Sequence, residues 1–494
     1  MRAPSSLILV TIDCLRADHV GFLGYPRPTT PFLDSLSGES FVFRNAVAAG
    51  APTYYSLPAI LASRYPLDLG RDRLGIAPEE CTISSLLQES GFATAAFLGG
   101  NPYLSANFGY DQGFDVFCDF LDRAATPEPS TQGIPRLRSR ANQVLAKACH
   151  GVAPLGALYD EFYFQYCQKI SARNCVSLDS LRRYPSADEI VDQAIAWLKE
   201  NCGRPFFLWL HLMDPHAPYF PKQESLEMMG TQEIGASEIL YLNSYWNRGD
   251  LSVERLRPKR EAIVALYDAG IRWADEQIRR LAKKLVQLNL WDGCALAVTA
   301  DHGEEFLDHG GRFHLPLKLT KELVQVPLLL RIPGFAGGGD FSSPLSLLDL
   351  APTLVDLLEI PIPQDFRGRS CWSQVAENRS WDRAVFTECV HGCSNPFRPE
   401  NRVGPRILAV RKNSHKLIVD FSSGTEQLFD LSFDPNEHSP LPLEVAKSVR
   451  RDLLECAKKH VAESYQSRDI DRRLDSQLHD LRLEWAHPAT RALN

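Results

Sequence analysis

Residues 6–20 read SLILVTIDCLRADHV, and this stretch decides how the rest of the chain is interpreted. It begins as a continuous apolar run, which is typical of a strand buried on both faces of a parallel sheet. The run ends at a carboxylate, Asp13. Two later segments repeat the arrangement, FFLWLHLMDPHAPY at residues 206–219 and CALAVTADHGEEF at residues 294–306. One Asp after a strand usually caps the next helix, but three polar strand ends together favour a functional site.

The pattern between these strands predicts the fold class. Further apolar strands are expected at Ala93–Leu98 and Val326–Ile332, and amphipathic helices at Ser186–Glu200 and Glu261–Leu288. Alternation of strands and helices indicates an α/β fold, a doubly wound and mostly parallel sheet sandwiched by helices. In such folds ligands bind outside the carboxyl ends of the strands. Shorter strands from about residue 380 predict a smaller C-terminal α+β subdomain.

The 494 residues divide into three parts in this interpretation. Residues 1–375 are expected to form the main domain, residues 376–460 a C-terminal subdomain with a short antiparallel sheet, and residues 461–494 a helical tail. Residues 122–184 break the rhythm and are predicted to be an insertion. A packed helical insertion is favoured, with an active-site lid or attachment to a membrane surface as the alternatives.

Composition excludes several classes of protein. With 53 Lys and Arg against 61 Asp and Glu, the net charge is −8, and 44% of the residues are hydrophobic. This argues for a folded chain without a nucleic-acid partner. No apolar run is long enough for a transmembrane segment. The twelve cysteines are scattered without a CxxC pair, and the apolar N-terminus is interpreted as a strand, so we expect free thiols and a cytoplasmic protein.

Side chains that follow the three strands have the composition of a metal site, since carboxylates and imidazoles converge there. The candidates are Asp13, His211, Asp214, His216, Asp301, His302, Glu304, Glu305, His309 and His314.

These residues and their order resemble the sulfatases of the alkaline phosphatase superfamily. The resemblance runs from residue 6 to about residue 440, and segments 122–184 and 461–494 lie outside it. It is carried by VTIDCLRADHVGFLGYPRPTTPFLDSLSGESFVFRNAVA, GAPTYYSLPAILASRYP, HLMDPHAPY, YDAGIRWADEQIRRL, TADHGEEF, VPLLLRIPG, LLDLAPTLVDLLEIPIP with FRGRS, KLIVDF and EQLFDLSFDPNE.

The resemblance implies that Asp13, Asp301 and His302 hold a divalent metal ion. Ca²⁺ or Mg²⁺ is expected first, and Mn²⁺ or Zn²⁺ are alternatives. Cys14 stands where the family commonly has a second Asp. A neutral thiol is a poor ligand for a hard ion, so Cys14 is expected to be a bystander.

The nucleophile segment departs from the usual family pattern. Where sulfatases carry the CxPxR cysteine that becomes formylglycine, this chain has Thr53, and Leu57 replaces the motif arginine. A metal-activated threonine hydroxyl can replace that nucleophile. Ser56 is the second candidate, and the structural alternative is a loop or helix-capping role for Thr53.

The resemblance also suggests which residues bind the ester and which move protons. The Lys and His that usually follow the strand at Ala93–Leu98 are replaced by Gly99-Gly100-Asn101-Pro102. His216 or His314 is expected to protonate the leaving alcohol. Substrate binding is assigned to Asn101, His211, His309 and Lys318.

The favoured function is hydrolysis of a sulfate ester, or a related phosphate ester, of a small molecule or glycan. One alternative is a two-metal phosphodiesterase or phosphotransferase, with Asp214, His216 and His314 as the second site. An alternative of another class is a catalytically inactive protein that binds a sulfated or phosphorylated ligand.

Overall fold

A nine-stranded sheet forms the centre of the computed structural model, which describes residues 3–70, 73–121, 144–151, 153–174, 177–230, 234–315, 318–335, 337–390 and 406–464. The strands of this part of the chain are β1 (Ser6–Ile12), β2 (Phe41–Val47), β3 (Ala93–Leu98), β4 (Val116–Cys118), β5 (Phe206–Leu212), β6 (Cys294–Ala300), β7 (Glu305–Phe306), β8 (Arg312–Phe313), β9 (Gln325–Arg331), β10 (Gly339–Phe341) and β11 (Leu345–Ser346). The strand order of the large sheet is β10-β2-β9-β6-β1-β5-β3-β4, and β11 also pairs with β2. Strands β7 and β8 form a separate two-stranded ribbon.

The register of the three central strands positions the polar residues that follow them. Strand β1 lies between β5 and β6 and is parallel to both. Ile12 stands opposite Leu212 on one side and Ala300 on the other. The next residues in line, Asp13 and Asp301, therefore leave the sheet side by side at its carboxyl edge. Strand β9 is antiparallel to β2 and β6, so the sheet is mixed but mostly parallel.

Helices cover both faces of the sheet. Their bounds are α1 (Pro31–Ser37), α2 (Thr53–Ala62), α3 (Ile83–Glu89), α4 (Ala153–Asn174), α5 (Ala187–Asn201), α6 (Gln223–Met228), α7 (Ala236–Trp246), α8 (Val253–Leu256), α9 (Arg260–Gln287), α10 (Lys321–Val324), α11 (Leu350–Leu357) and α12 (Trp372–Ala376). Residues 144–150 and 447–464 are also helical. Ser186 and Glu189 form the capping box expected at the start of α5, because each side chain accepts from the other's backbone N–H.

A second sheet follows the first. Strands β12 (Val385–Val390), β13 (Arg406–Lys412), β14 (His415–Asp420) and β15 (Thr425–Asp430) are antiparallel and pair in chain order. One face packs against the helix at 447–464 through Leu453 and Ala457. The other face packs against the first turn of α2 through Tyr54 and Tyr55. The small sheet thus supports the helix that carries Thr53.

The α/β fold class is confirmed, including the C-terminal antiparallel sheet. Strand β2 was missed, because Arg44 and Asn45 interrupt its apolar pattern. The domain bounds 1–375, 376–460 and 461–494 stay a prediction. Within the proposed insertion, Ala153–Asn174 is helical, whereas residues 122–143 and the tail from residue 465 lie outside the described residues. None of the described helices combines the length and apolarity needed to cross a bilayer.

Candidate active site

Asp13, Asp301 and His302 meet at the carboxyl edge of the sheet, and we call these three residues the Asp13 cluster. All three are buried, and one ligand atom from each lies within 4.8 Å of the other two. His302 Nδ1 lies 2.8 Å from the Gly303 carbonyl oxygen, which keeps the proton on that nitrogen. The Nε2 lone pair then faces the two carboxylates, as in metal-binding histidines.

The cluster has the chemistry of a divalent metal site. Asp301 Oδ2 is buried and accepts no hydrogen bond from the described residues. Burial and the nearby Asp13 carboxylate raise the pKa of Asp301. Burial opposes ionisation of Asp13 too, but His216, His211 and His302 outweigh it and hold its pKa well below its usual range. Two carboxylates gathered away from water, one with an orphaned oxygen, are the donors that a divalent cation requires.

Thr53 is the first residue of α2 and places its hydroxyl on the Asp13 cluster. Its Oγ1 lies 3.1 Å from His302 Nε2 and 3.4 Å from Asp13 Oδ2. Ser56, one turn further on, donates to the Asp301 carbonyl oxygen at 2.5 Å and so faces backbone. Of the two hydroxyls predicted as nucleophile, Thr53 is therefore the one on the cluster. The N-terminus of α2, which is the positive end of its dipole, also lies at the Asp13 cluster.

Asn101 and His211 both contact the Asp13 carboxylate. The Asn101 amide donates to Asp13 Oδ2 at 3.0 Å, and its own oxygen accepts from Tyr103 N–H. His211 Nε2 lies 3.3 Å from the same oxygen, while Nδ1 is 2.8 Å from the Thr11 hydroxyl. His211 is fully enclosed. The contacts of both side chains orient Asp13, and the substrate-binding role assigned to them stays a prediction.

His216 and His314 stand together at the open side of the cluster, with ring centroids 5.0 Å apart. Burial lowers the pKa of His216, whose Nδ1 lies 2.5 Å from the Ala217 carbonyl oxygen. Burial also acts to lower the pKa of His314, but the Glu304 carboxylate, 3.2 Å from Nδ1, raises it to about 9. At neutral pH His216 is thus the neutral imidazole and His314 carries the proton.

Cys14 lies inside the site. Its thiol is 2.9 Å from Asp13 Oδ1 and 3.3 Å from His314 Nδ1. The residue has a left-handed φ of 61°, which is uncommon for any residue with a Cβ. The Tyr267 hydroxyl donates to its carbonyl oxygen at 2.7 Å and so holds the loop in place.

Asp214 does not join His216 and His314. Its carboxylate accepts from Arg182 at 2.8 Å and from the Ala187 backbone N–H at 3.0 Å, at the start of α5. The second metal site predicted from Asp214, His216 and His314 is therefore wrong in composition, because Asp214 is turned to the helix.

His309 and Lys318 belong to a different group, which we call the junction cluster: Glu305, His309, Lys318, Glu322, Lys416 and Glu437. Lys318 Nζ donates to Glu305 at 2.9 Å. His309 Nδ1 lies 2.9 Å from Glu322 Oε1, and Nε2 is 3.0 Å from the Glu437 carbonyl oxygen. His309 and Lys318 are thus both paired with groups of this chain. The role in binding the ester that the sequence analysis assigned to them stays a prediction.

Three tyrosines for which the sequence predicted no role contribute to the site. Tyr184 packs edge-on against His216, with ring centroids 5.2 Å apart. Tyr219 donates its hydroxyl to Glu304 Oε2 at 3.1 Å and thereby orients the partner of His314. Tyr267 holds the loop at Cys14. Tyr267 lies in the quoted YDAG stretch, but the link from α9 to Cys14 is visible only in three dimensions.

Comparison with known proteins agrees with this geometry. The family model described as Sulfatase matches residues 5–360, and that of the N-sulphoglucosamine sulphohydrolase C-terminal region matches residues 317–463. Arylsulfatase K of Bos taurus is 28% identical over 284 residues, which is 50% of each protein, so the chain spans about half the length of this relative. An arylsulfatase of Clostridium perfringens is 24% identical over 87% of this chain and 89% of its own.

Solved structures show the same fold. The phosphonate monoester hydrolase of Silicibacter pomeroyi superposes with a TM-score of 0.64 at 19% identity, covering 94% of this chain and 95% of that one. A protein solved in complex with its substrate D-glucosamine-2-N,6-O-disulfate gives a TM-score of 0.64 at 16% identity, and the match covers 95% of this chain and 99% of that one. Since the Sulfatase model spans most of the sequence, the chain belongs to the sulfatase family of the alkaline phosphatase superfamily.

Proposed function

We propose that the protein hydrolyses a sulfate ester, or a related phosphate ester, with Thr53 as the nucleophile. One observation carries the proposal: the Thr53 hydroxyl lies on the Asp13 cluster, 3.1 Å from His302 and 3.4 Å from Asp13. Arylsulfatases among the sequence relatives and a phosphonate monoester hydrolase among the fold neighbours support this reaction class.

The reaction divides into two displacements at sulfur or phosphorus. The Thr53 hydroxyl releases its proton to solvent as its oxygen attacks the central atom, and the bond to the leaving alcohol oxygen breaks as that oxygen takes a proton from His314. Water then cleaves the threonine ester, which returns the hydroxyl and releases sulfate or phosphate. A divalent cation bound by Asp13, Asp301 and His302 would lower the pKa of the Thr53 hydroxyl and offset negative charge on the ester. We propose Ca²⁺ or Mg²⁺ first, with Mn²⁺ or Zn²⁺ as alternatives.

His314 is the proposed proton donor to the leaving alcohol. Its raised pKa, about 9, keeps it protonated at neutral pH, and Glu304 orients the ring through Nδ1. His216 has a lowered pKa and is the poorer donor. The N-terminus of α2 adds partial positive charge next to Thr53, which stabilises an anionic group there.

The chemistry of the nucleophile bears on the choice of ester. A threonine sulfate lacks the geminal-diol route by which formylglycine releases sulfate, whereas attack of water can cleave a threonine phosphate. The threonine nucleophile therefore favours a phosphate ester as the substrate, whereas membership of the sulfatase family favours a sulfate ester. A small-molecule or glycan ester is the proposed substrate, since one fold neighbour was solved with a sulfated sugar.

The test is turnover of matched aryl sulfate, phosphate monoester, phosphodiester and phosphonate substrates by the wild type, Thr53→Ala, Thr53→Ser and Ser56→Ala. We expect Thr53→Ala to lose at least about three orders of magnitude in kcat, and Thr53→Ser to keep part of the rate because the hydroxyl survives. Ser56→Ala is the matched control, because its hydroxyl faces backbone. Full activity in Thr53→Ala, or loss confined to Ser56→Ala, would contradict the mechanism.

A cytoplasmic location is also proposed. The ten cysteines within the described residues are all free thiols, which suits a reducing compartment. Cell fractionation of the native host tests it, and recovery of the protein outside the cytoplasm would contradict it.

A further inference from the structure

We propose that Asp13, Cys14 and His216 form a second metal site, adjacent to the Asp13 cluster and selective for a thiolate-binding cation such as Zn²⁺. Cys14 is then a ligand instead of the bystander that the family resemblance suggested. The inference does not depend on Thr53 being the nucleophile, because it concerns metal binding alone.

The three donors converge on one point. One ligand atom each from Asp13, Cys14 and His216 lies within 4.8 Å of the other two. The Cys14 thiol is 2.9 Å from Asp13 Oδ1, and Cys14 is fully buried. A cation between them would replace the thiol proton, which leaves to solvent, and would be held by sulfur, nitrogen and oxygen.

The hydrogen bonds around His216 and Cys14 orient both residues as metal ligands are oriented in proteins. The Ala217 carbonyl oxygen, 2.5 Å from His216 Nδ1, keeps the proton there and leaves Nε2 as the lone-pair donor. No described residue makes a hydrogen bond to that Nε2. The Cys14 backbone is fixed from both ends, since Asp301 Oδ1 accepts its N–H at 3.3 Å and Tyr267 donates to its carbonyl oxygen. These contacts hold the uncommon φ of 61°.

The donor set selects the kind of cation. Ca²⁺ and Mg²⁺ take oxygen ligands, so a site with a buried thiol and an imidazole disfavours both. Zn²⁺ takes Cys, His and carboxylate ligands, and sites with three protein ligands leave a fourth position open. Asp13 belongs to both donor groups and would bridge the two sites. His302 and His314 also bring ligand atoms within 4.8 Å of the Cys14 sulfur, with His314 Nδ1 3.3 Å from it. The His216→Gln variant therefore distinguishes the proposed ligand set from that one.

The experiment is titration of the chelator-stripped, full-length protein with Co²⁺, which reports a thiolate ligand by a near-ultraviolet charge-transfer band. We expect the wild type to bind two equivalents of Co²⁺ per chain and to show the charge-transfer band. Cys14→Ser should bind one equivalent without the band, and His216→Gln should weaken the band-forming site at least about tenfold. Asp301→Asn should keep the band and lose the other equivalent. His216→Gln tests the same site if Cys14→Ser fails to fold.

Two control variants show whether the band and the metal count belong to this site. Cys202→Ser removes an exposed thiol and should keep the band, so its loss there would contradict the assignment. Thr53→Ala should keep both equivalents, so failure of the nucleophile assignment leaves this readout unchanged. A single equivalent without a band in the wild type, or a band that persists in Cys14→Ser, would overturn the proposal.

Discussion

The Asp13 cluster and the junction cluster both bring carboxylates and a histidine together, but they differ in how the charges of these groups are satisfied. Glu305, His309 and Glu322 meet the same 4.8 Å spacing as Asp13, Asp301 and His302. In the junction cluster Lys318 and His309 pair with the carboxylates. In the Asp13 cluster two carboxylates face each other, and Asp301 Oδ2 accepts no hydrogen bond from the described residues, although His302 Nε2 lies 3.5 Å from it. Unsatisfied buried charge therefore identifies a cation site better than residue composition does.

The largest expected effect is that of removing a carboxylate from the Asp13 cluster. Asp301→Asn should abolish turnover, by at least about three orders of magnitude, and remove one bound metal ion. In the absence of metal, the free energy of unfolding of this variant should be at least as large as that of the wild type, because the repulsion between the buried carboxylates of Asp301 and Asp13 is removed. Metal analysis, turnover and denaturant unfolding measure the three quantities.

Glu322→Gln is the matched change in the junction cluster. It should leave metal content and turnover near those of the wild type, because that carboxylate serves His309. Loss of metal in Glu322→Gln, or full activity with metal retained in Asp301→Asn, would break the comparison.

The next effect concerns the two protonated histidines. His314→Gln should slow esters of poor leaving groups by about two to four orders of magnitude, and esters of nitrophenol much less, because a good leaving group needs no proton. His309→Gln should give no such dependence on the leaving group. The rates of a series of aryl esters with graded leaving-group pKa measure the difference. Equal slopes of log rate against leaving-group pKa for the two variants would exclude His314 as the acid.

Stability should respond most to the junction cluster. Lys416 and Glu437 form a buried pair at 2.8 Å with side chains 4% and 2% exposed. Lys416→Met leaves a buried carboxylate without its cation and should cost about 3–5 kcal/mol. Lys447→Ala, which breaks an exposed pair with Glu444, should cost less than about 1 kcal/mol. Chemical unfolding compares them, and equal costs would contradict the assigned burial.

The smallest effect is a pH dependence of unfolding. The hydrogen bond to Glu322 raises the pKa of His309 from 6.5 to about 9. Because the folded-state pKa is raised, this stabilisation is complete below about pH 6.5 and is lost as the pH rises through about 9. We expect a loss of about 1 kcal/mol across that window, since the ring is half-buried. The His309→Gln variant should lose this part of the pH dependence, and an unchanged profile would refute the pairing.

The sequence predicted the parts of the fold that depend on local pattern. Strand β3 was placed at its observed bounds, and β5 and β6 begin the segments 206–219 and 294–306 in which they were expected, since buried parallel strands are continuous apolar runs. Strand β2 was missed because two polar residues lie in its middle. The Asp13 cluster was predicted because its members directly follow strands, and strand ends in a parallel sheet meet at one edge.

The rest of the site depends on where side chains point, which residue order does not specify. Asp214 lies two residues before His216, yet its carboxylate turns to Arg182 and α5. Lys318 was expected near the ester, but Glu305 pairs with it. Tyr184 and Tyr267 reach the site from distant elements, and only the packing of these elements reveals their contacts.

The most direct test of the central claim is the mass of a trapped intermediate. A slow substrate quenched during turnover should leave an adduct of about 80 Da, a phosphoryl or sulfuryl group, on the peptide that contains Thr53. The adduct should be absent in Thr53→Ala and present in Ser56→Ala. An adduct on Ser56, or turnover by Thr53→Ala at the wild-type rate without one, would contradict the assignment of Thr53 as the nucleophile.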